Sequence, residues 1–298
     1  MTTLLVHSRP GLRAALRDIR LRGSSTGDRH GEVGVVMTMG ALHDGHRELI
    51  KVARKRCEII VVTVFLNPLQ FAPSEDLSRY PKTLERDVDL CTEEDVDLVF
   101  APGVEDVYPA SQPQVRVSAG PLGDVLEGAS RPGHFDGVLT VVAKLMHLTS
   151  PDVAYFGQKD AQQLLLISRM AEDLNFPTEV VAVPTVRDAD GLALSSRNMY
   201  LTTEDRRVAL ALSRALTAGV AAGPHGPEAV RREARAILDT EPGLGLDYLA
   251  LVDPATLAEL APDFAGPALL AVAARVGSTR LIDNVPMTVG GPANGSVA

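Results

Sequence analysis

Two histidines, His43 and His46, lie three residues apart at the start of a predicted helix. The segment 39–46 (MGALHDGH) follows an apolar run over 32–37 and precedes residues 47–54, whose apolar positions have helical spacing. Backbone N–H groups and the helix dipole favour an anion at such a turn. Imidazole N–H groups one helical turn apart can both donate to phosphate oxygens. The pattern predicts a nucleotide phosphate site. The alternatives are a simple cap and a metal site, which normally needs a third protein ligand.

Two further polar segments follow predicted strands, where parallel α/β sheets bind ligands. After one strand, the amides of Asn67 and Gln70 flank a proline turn and can hydrogen-bond a small polar substrate. An ordinary Asx turn with a solvated Gln70 is the alternative. After another strand, Lys159 can bind phosphate oxygens and Asp160 can bind hydroxyl groups. Helix capping by Asp160 beside an exposed lysine explains that segment equally well.

Hydroxyl groups and arginines mark two more candidate segments. Ser195, Ser196 and Arg197 lie at a predicted domain junction, and a guanidinium can bind two phosphate oxygens at once. These residues are therefore a candidate anion clamp, with capping of the next helix as the alternative. Arg131 lies in a Gly-rich loop, 127–137, which is either a lid beside the substrate or a plain connection.

The acidic segment that contains Asp87 and Asp89 is a candidate magnesium site. Mg²⁺ keeps several waters and needs few protein ligands, so one carboxylate can hold it through water. A solvated helix face is the more ordinary interpretation. The sequence contains no Walker P-loop, no G-x-G-x-x-G after the first strand and no G-x-S-x-G elbow. P-loop phosphoryl transfer, dinucleotide binding of that type and serine hydrolysis therefore lose support.

The composition is that of a globular chain with acidic character. Its 298 residues suffice for one large domain or two ordinary ones. A formal net charge of −9 disfavours a broad nucleic-acid surface. No apolar run is long enough to span a bilayer, and the first residues lack a signal-peptide pattern. Cys57 and Cys91 form no disulfide framework. We therefore expect a cytoplasmic protein without a nucleic-acid or membrane partner.

The apolar pattern predicts alternating strands and helices up to about residue 183. Strands are expected at 33–38, 58–65, 98–100, 153–156 and 178–183, and helices at 12–21, 47–54, 84–94, 138–148 and 161–174. This succession implies a mostly parallel sheet in an α/β fold. Beyond residue 198, helices at 203–222 and 227–238 and strands at 247–252, 268–274 and 279–283 suggest a separate α+β domain.

Taken in order, these segments resemble the pantothenate synthetase (pantoate–β-alanine ligase) family. The matching segments are 38–46 (TMGALHDGH), 65–71 (FLNPLQF), 80–83 (YPKT), 131–138 (RPGHFDGV), 156–160 (FGQKD), 184–187 (PTVR) and 194–198 (LSSRN). The resemblance implies a Rossmann-like domain of the nucleotidyltransferase type over 1–185 and a smaller C-terminal α+β domain over 186–298 that acts as a lid. The chain departs from the family at Met37, where proline is common, and at Gln158, where glutamate is common.

The resemblance also implies roles for individual residues. The expected catalytic residues, which steady or neutralise the phosphates, are His43, His46, Lys159, Arg197, Ser195 and Ser196, with His46 also a proton donor. Further ATP contacts are expected from Met39, Gly40, Gly45, Gly157, Asp160, Val186 and Leu194. Of these, Gly157 and Asp160 are expected on the ribose side, and backbone groups of Val186 and Leu194 at the adenine. Pantoate is expected at Gln70 and Gln163, β-alanine near Gln70, and weaker substrate contacts at Asn67 and Arg131. Asp87 is the candidate for Mg²⁺.

The activity implied by the resemblance has two steps. Pantoate reacts with ATP and Mg²⁺ to give a pantoyl adenylate and pyrophosphate, and β-alanine then displaces AMP. A cytoplasmic homodimer in the pathway to vitamin B5 and coenzyme A is expected. Two alternatives stay open. A cofactor adenylyltransferase would share the phosphate turn but leave Gln70 and Gln163 without a purpose, and a catalytically silent nucleotide-binding module would bind ATP without turnover.

Overall fold

The computed structural model describes residues 3–23, 31–72 and 75–290, which fall into two compact units. The first unit comprises residues 1–158 and 166–184, and the second comprises 159–165 and 185–298. The short segment 159–165 therefore belongs to the second unit by its contacts, although it lies between two elements of the first.

The first unit is built on a parallel sheet of six strands. These are β1 (Leu4–Val6), β2 (Val33–Thr38), β3 (Ile59–Val64), β4 (Leu98–Phe100), β5 (Val153–Gly157) and β6 (Glu179–Val183), in the order β1-β4-β3-β2-β5-β6. The central strands β2 and β3 are almost wholly buried, as expected for β-branched runs covered on both faces. The predicted parallel α/β sheet is confirmed. Strand β1 was not predicted, because it has only three residues and exists through its pairing with β4.

Helices accompany these strands in the first part of the chain. They are α1 (Arg9–Gly23), α2 (Asp44–Arg56), α3 (Leu84–Glu93), α4 (Val104–Val107), α5 (Glu127–Ser130), α6 (His134–Thr149) and α7 (Ala161–Asp173). In α2, the buried residues Leu49, Ile50 and Ala53 follow helical spacing and join the core beside the sheet. The helix α6 begins four residues before its predicted start, because Gly133 supplies a left-handed N-cap with φ +77°.

The second unit combines two helices with an antiparallel sheet. Its elements are α8 (Thr203–Ala222), α9 (Pro227–Asp239), β7 (Leu244–Val252), β8 (Gly266–Val276) and β9 (Thr279–Val289), with the sheet order β7-β8-β9. Thr202 and Asp205 form a capping box that starts α8. Gly277, with φ +55°, supplies the tight turn between β8 and β9. The predicted C-terminal α+β architecture is confirmed.

The core of the second unit lies between its two helices and the sheet. Leu212 and Leu216 of α8 pack with Val230 of α9 and Leu270 of β8. Within the described residues, none of the helices combines the length and apolar character that crossing a membrane requires.

Candidate active site

The turn after β2 carries the two histidines and is held by a buried carboxylate. Its backbone is left-handed at Gly40, with φ +86°, and at Ala41, with φ +52°, which is strained for alanine. Asp87 of α3 is 1% exposed and accepts hydrogen bonds from the N–H groups of Ala41 at 3.0 Å and Leu42 at 2.8 Å. The hydroxyl of Thr83 donates to the same carboxylate at 3.2 Å. Asp87 therefore fixes the backbone that leads into α2.

His43 and His46 both cap α2 through Nδ1. The N–H of Gly45 donates to Nδ1 of His43 at 3.1 Å, and the N–H of His43 donates to Nδ1 of His46 at 3.3 Å. The two ring centroids lie 4.2 Å apart. An imidazole nitrogen that accepts a hydrogen bond carries no proton, so the neutral form of each ring has its proton on Nε2. The capping box thereby selects the tautomer in which each histidine offers Nε2–H as a donor.

The electrostatic environment keeps His46 uncharged. Desolvation, and secondarily the neighbouring His43 ring, lowers the pKa of His46 to about 3. His46 is therefore neutral near pH 7 and acts through a hydrogen bond rather than through a positive charge. The predicted role as proton donor then has to come from the neutral Nε2–H group.

Asn67 lies in the interior at the end of β3, with both ends of its amide in use. It is 1% exposed. Its oxygen accepts from the Leu69 N–H at 3.3 Å and from the Tyr108 hydroxyl at 2.8 Å. Its nitrogen donates to the carbonyl of Gly137 and to Oε1 of Gln70, each at 3.1 Å. These contacts are those of a residue that positions Gln70, rather than one that touches a ligand.

The side chain of Gln70 connects the turn at residues 67–70 to the turn that carries the two histidines. Its Nε2 lies 3.0 Å from Sδ of Met39, the residue that follows β2. Its Oε1 accepts from Asn67, so both atoms of the amide have defined partners. A single side-chain contact, from Gln70 to Met39, thus joins the predicted pantoate residue to the turn that carries the predicted phosphate residues.

A charged cluster holds the backbone of Gln70. Arg131 forms two hydrogen bonds with the carboxylate of Glu75, at 2.6 and 2.8 Å. A third guanidinium nitrogen of Arg131 lies 2.9 Å from Nε2 of His134, whose Nδ1 lies 2.8 Å from the carbonyl oxygen of Gln70. Because arginine can only donate, Nε2 of His134 must accept and Nδ1–H must donate to Gln70. His134 is therefore neutral in this arrangement.

The pKa shifts in the cluster agree with this protonation pattern. Desolvation, and secondarily the charge of Arg131, lowers the pKa of His134 to about 4. Desolvation acts to raise the pKa of Glu75, but the hydrogen bonds and charge of Arg131 outweigh it and lower that pKa below its ordinary value. A neutral imidazole and an ionised carboxylate thus flank the guanidinium.

In the second unit, Lys159 lies at the start of segment 159–165. Its backbone carbonyl accepts a hydrogen bond from Nδ2 of Asn284, on β9, at 2.7 Å. Asp160 and Gln163 are half-buried on the same segment. Within the described residues, neither the Lys159 ammonium nor the Asp160 carboxylate forms an ion pair with a protein group. The segment therefore combines a fixed backbone with polar side chains that a ligand can engage.

Residues 186–194 form a small closed loop in the second unit. The N–H of Leu194 donates to the carbonyl of Val186 at 3.0 Å, which brings together the two residues predicted to meet adenine. Two guanidinium nitrogens of Arg187 donate hydrogen bonds to the carboxylate of Asp283, at 2.6 and 2.9 Å. Arg187 also donates to the carbonyl of Gly191. The loop is thereby tied to β9.

The predicted anion clamp follows this loop directly. Ser195 is the N-cap of a short 3-10 helix, Ser196–Tyr200, and its hydroxyl accepts from the N–H of Arg197 at 3.3 Å. Nδ2 of Asn198 donates to the carbonyl of Ala193, and its buried Oδ1 has no hydrogen-bond partner among the residues that the structure describes. Ser195 is therefore a helix cap, as the alternative interpretation expected. It caps the short helix, however, and not α8.

Comparison with known proteins identifies the family. The profile of the pantoate–β-alanine ligases matches residues 5–286. The pantothenate synthetase of Streptomyces avermitilis is 53% identical over 314 residues, covering 88% of this chain and 94% of the relative. The chain belongs to the pantoate–β-alanine ligase family. It is therefore a ligase, and the predicted family membership is confirmed.

Solved structures of the family have the same fold. The pantothenate synthetase from Thermus thermophilus matches this ligase with a TM-score of 0.86 and 48% identity, covering 95% of this chain and 99% of that one. A pantoate–β-alanine ligase from Francisella tularensis, complexed with β-γ ATP and β-alanine, has a TM-score of 0.76 and 32% identity, with 95% and 97% covered.

The individual ligand contacts assigned to the ligase stay predictions. The structure joins Met39, Asn67 and Gln70 in the first unit, and it joins Val186 to Leu194 in the second. Gly157 ends β5, where a Cβ would meet no described atom within 4 Å, so packing does not require this glycine. The contacts of Asp87 do not favour magnesium binding, because both carboxylate oxygens already accept backbone N–H groups. No group of three or more metal-ligating side chains occurs among residues 3–23, 31–72 and 75–290.

Several residues of the site were missed by the sequence analysis. His134, Glu75 and Tyr108 support the Asn67–Gln70 turn, and Asp283 and Asn284 support the elements of the second unit. His134 lies in a segment quoted for the family resemblance, RPGHFDGV, which was a signal for it. The pair Asp283-Asn284 carries no local motif, so only the fold reveals it.

Proposed function

We propose that this ligase condenses pantoate with β-alanine through a pantoyl adenylate held by the residues described above. The net reaction converts ATP, pantoate and β-alanine into pantothenate, AMP and pyrophosphate. A carboxylate is a poor acyl donor, whereas the mixed anhydride with AMP has a good leaving group. The observation that carries the assignment is the contact between Met39, in the histidine turn, and Gln70, in the substrate turn. It joins a phosphate-binding element to a candidate pantoate-binding amide.

In the first step, a carboxylate oxygen of pantoate attacks the α-phosphorus of ATP. The bond between the α-phosphorus and the bridging oxygen breaks, and pyrophosphate leaves with the electron pair. Negative charge builds up on the phosphate oxygens, and the Nε2–H groups of His43 and His46 donate hydrogen bonds to them. Lys159 and Arg197 neutralise the triphosphate, helped by the hydroxyls of Ser195 and Ser196. Catalysis then consists of positioning and charge stabilisation, without a protein nucleophile.

In the second step, the amine of β-alanine attacks the acyl carbon of the adenylate. The bond from that carbon to the phosphate oxygen breaks, AMP leaves with the electron pair, and the nitrogen releases a proton to solvent as the amide forms. Gln70 and Gln163 hold the hydroxyl and carboxylate groups of pantoate. Gly157 and Asp160 hold the ribose, and backbone groups of Val186 and Leu194 hold the adenine. The related Francisella enzyme, whose structure contains both β-γ ATP and β-alanine, supports the substrate assignment.

Magnesium enters this proposal with ATP rather than through a protein carboxylate. The oxygens of Asp87 are occupied by the N–H groups of Ala41 and Leu42, so they do not fit a direct metal ligand. Mg²⁺ bound by the triphosphate needs few protein ligands. We also propose that the ligase works in the cytoplasm as a homodimer, as its family resemblance implies.

Product analysis tests the proposal most directly. The ligase is incubated with ATP, Mg²⁺, pantoate and β-alanine, and each component is omitted in turn. We expect pantothenate and AMP only in the complete mixture, and ATP–pyrophosphate exchange with pantoate but without β-alanine. Exchange that requires a phosphorylated acceptor instead of pantoate would favour a cofactor adenylyltransferase. Binding of ATP without turnover would favour a silent nucleotide-binding module.

A further inference from the structure

Two adjacent residues of β9, Asp283 and Asn284, contact two separate pieces of the candidate ATP site. Both are buried, with exposures of 4% and 6%. Because successive side chains of a strand point to opposite faces, neighbouring residues can serve two different partners. Buried polar side chains need partners to offset their desolvation. Their partners therefore reveal what these residues do.

Asn284 holds the backbone of Lys159. Its Nδ2 donates to the Lys159 carbonyl at 2.7 Å, across 125 residues of sequence. This bond fixes the peptide that carries the lysine at the start of segment 159–165. The segment belongs to the second unit, which also contains β9. Removal of the amide would leave a carbonyl without this donor and release the local backbone.

Asp283 holds the loop 186–194. Its carboxylate accepts two hydrogen bonds from the Arg187 guanidinium. It also accepts a hydrogen bond from the N–H of Asn284 at 2.8 Å. Arg187 in turn donates to the carbonyl of Gly191, inside the loop. A two-pronged ion pair on a carboxylate that is only 3% exposed is directional and resists screening by solvent. The loop is therefore fixed to the same strand as Lys159.

We propose that Asp283 and Asn284 are positioning residues that hold Lys159 and the adenine loop 186–194 in the geometry that binds ATP. Neither residue touches the reacting atoms. The strand β9 also contacts the short helix 196–200, which carries Arg197. A single strand of the second unit thus holds segment 159–165 and loop 186–194 and also lies beside the short helix. The inference rests on the ATP roles proposed for Lys159, Val186 and Leu194.

The test compares Asn284→Ala with a matched control on the same sheet. Asp247→Asn removes the ion pair from Asp247 to Arg280, which links β7 to β9. We expect Asn284→Ala to raise the KM for ATP about 10-fold, the scale of a sub-ångström misplacement. The KM values for pantoate and β-alanine should stay within about twofold of wild type. Asp247→Asn should leave all three values unchanged.

Two further variants sharpen the test. Asn284→Asp keeps the shape but places an oxygen against the Lys159 carbonyl, so it should not rescue the KM for ATP. Asp283→Asn breaks the charged pair with Arg187 and should also raise that KM selectively. An unchanged KM for ATP in Asn284→Ala, or a parallel rise of all three KM values, would overturn the inference.

The variants also separate this inference from the proposed function. If Asn284→Ala does not fold, Asn284→Asp is judged by the same criteria. Failure of both variants to fold would assign Asn284 to stability alone and overturn the positioning role. A wild-type chain that makes no pantothenate would instead overturn the proposed function. An active wild type with an unchanged KM for ATP in Asn284→Ala would overturn only the inference.

Discussion

At the scale of single residues, charge and hydrogen bonding are divided between different side chains. His43 and His46 supply neutral N–H donors, because their Nδ1 atoms accept backbone N–H groups at the cap of α2. Lys159 supplies a positive charge, and its ammonium forms no ion pair within the described residues. A free ammonium can respond fully to charge that develops on a triphosphate.

Replacement of Lys159 by alanine should therefore affect the first chemical step. We expect Lys159→Ala to lower pantoate-dependent ATP–pyrophosphate exchange at least ~100-fold, the scale of removing one preorganised charge-stabilising group. Lys55→Ala, at the exposed end of α2, is the matched control and should be nearly silent. Normal exchange in a folded Lys159→Ala variant would rule out the assigned role.

At the scale of elements, the histidine turn depends on a carboxylate from another helix. Asp87→Asn places an NH₂ group or a weaker acceptor against the N–H groups of Ala41 and Leu42. We expect kcat/KM to fall about 10- to 100-fold through displacement of the turn, with a loss of about 1–3 kcal/mol in the free energy of unfolding. The control is Asp89→Asn, on the exposed face of α3.

A magnesium titration distinguishes the two roles considered for Asp87. If its role is to hold the turn, the Mg²⁺ concentration for half-maximal activity of Asp87→Asn should match that of wild type. Recovery of activity at high Mg²⁺ concentration would show instead that Asp87 binds the metal.

Helix α6 packs closely against the Asn67–Gln70 turn. A Cβ on Gly137 would lie 2.2 Å from the carbonyl oxygen of Leu69, a backbone atom. We expect Gly137→Ala to push this turn away and raise the KM for pantoate about 10-fold, with a smaller effect on the KM for ATP. The measurement is steady-state kinetics with each substrate varied.

Gly219→Ala is the control for that experiment. Its added Cβ meets the end of the Leu270 side chain, in the second unit. This variant should lower stability through overpacking and leave the KM for pantoate near the wild-type value. Equal effects of the two alanines on the KM for pantoate would contradict the role of the α6 contact.

At the scale of the whole molecule, two neutral histidines make stability depend on pH. Their pKa values, about 3 for His46 and about 4 for His134, lie below the 6.5 expected in an unfolded chain. Below pH 6.5 the unfolded chain therefore binds protons that the folded chain does not. The stabilisation is present above pH 6.5 and is lost as the pH falls towards 4. The slope approaches about 1.4 kcal/mol per pH unit for each histidine.

Urea unfolding followed by circular dichroism between about pH 7.5 and 4.5 measures this slope. We expect His134→Gln to be less stable at the upper end of this range but to show a shallower pH dependence than wild type. The exposed His225→Gln should keep the wild-type slope. A His134→Gln variant with an undiminished slope would refute the neutral state deduced from its contacts with Arg131 and Gln70.

Local patterns in the sequence determined the elements and the chemistry they carry. Runs of β-branched residues predicted the buried parallel strands, and helical spacing predicted α2, α8 and α9, because these signals depend on residues close together in the chain. The histidine segment, the Asn67–Gln70 turn and Ser195 to Arg197 were likewise visible as motifs, and together they led to the family.

Only the tertiary structure decided which residues hold those motifs in place. Asp87 contacts Leu42 across 45 residues, His134 contacts Gln70 across 64, and Asn284 contacts Lys159 across 125. The three-residue strand β1 likewise exists through its pairing with β4. Such contacts depend on the order in which strands and helices assemble. A single asparagine or aspartate forms no sequence pattern that indicates its distant partner. Its role can therefore be identified only from the packing that brings the two residues together.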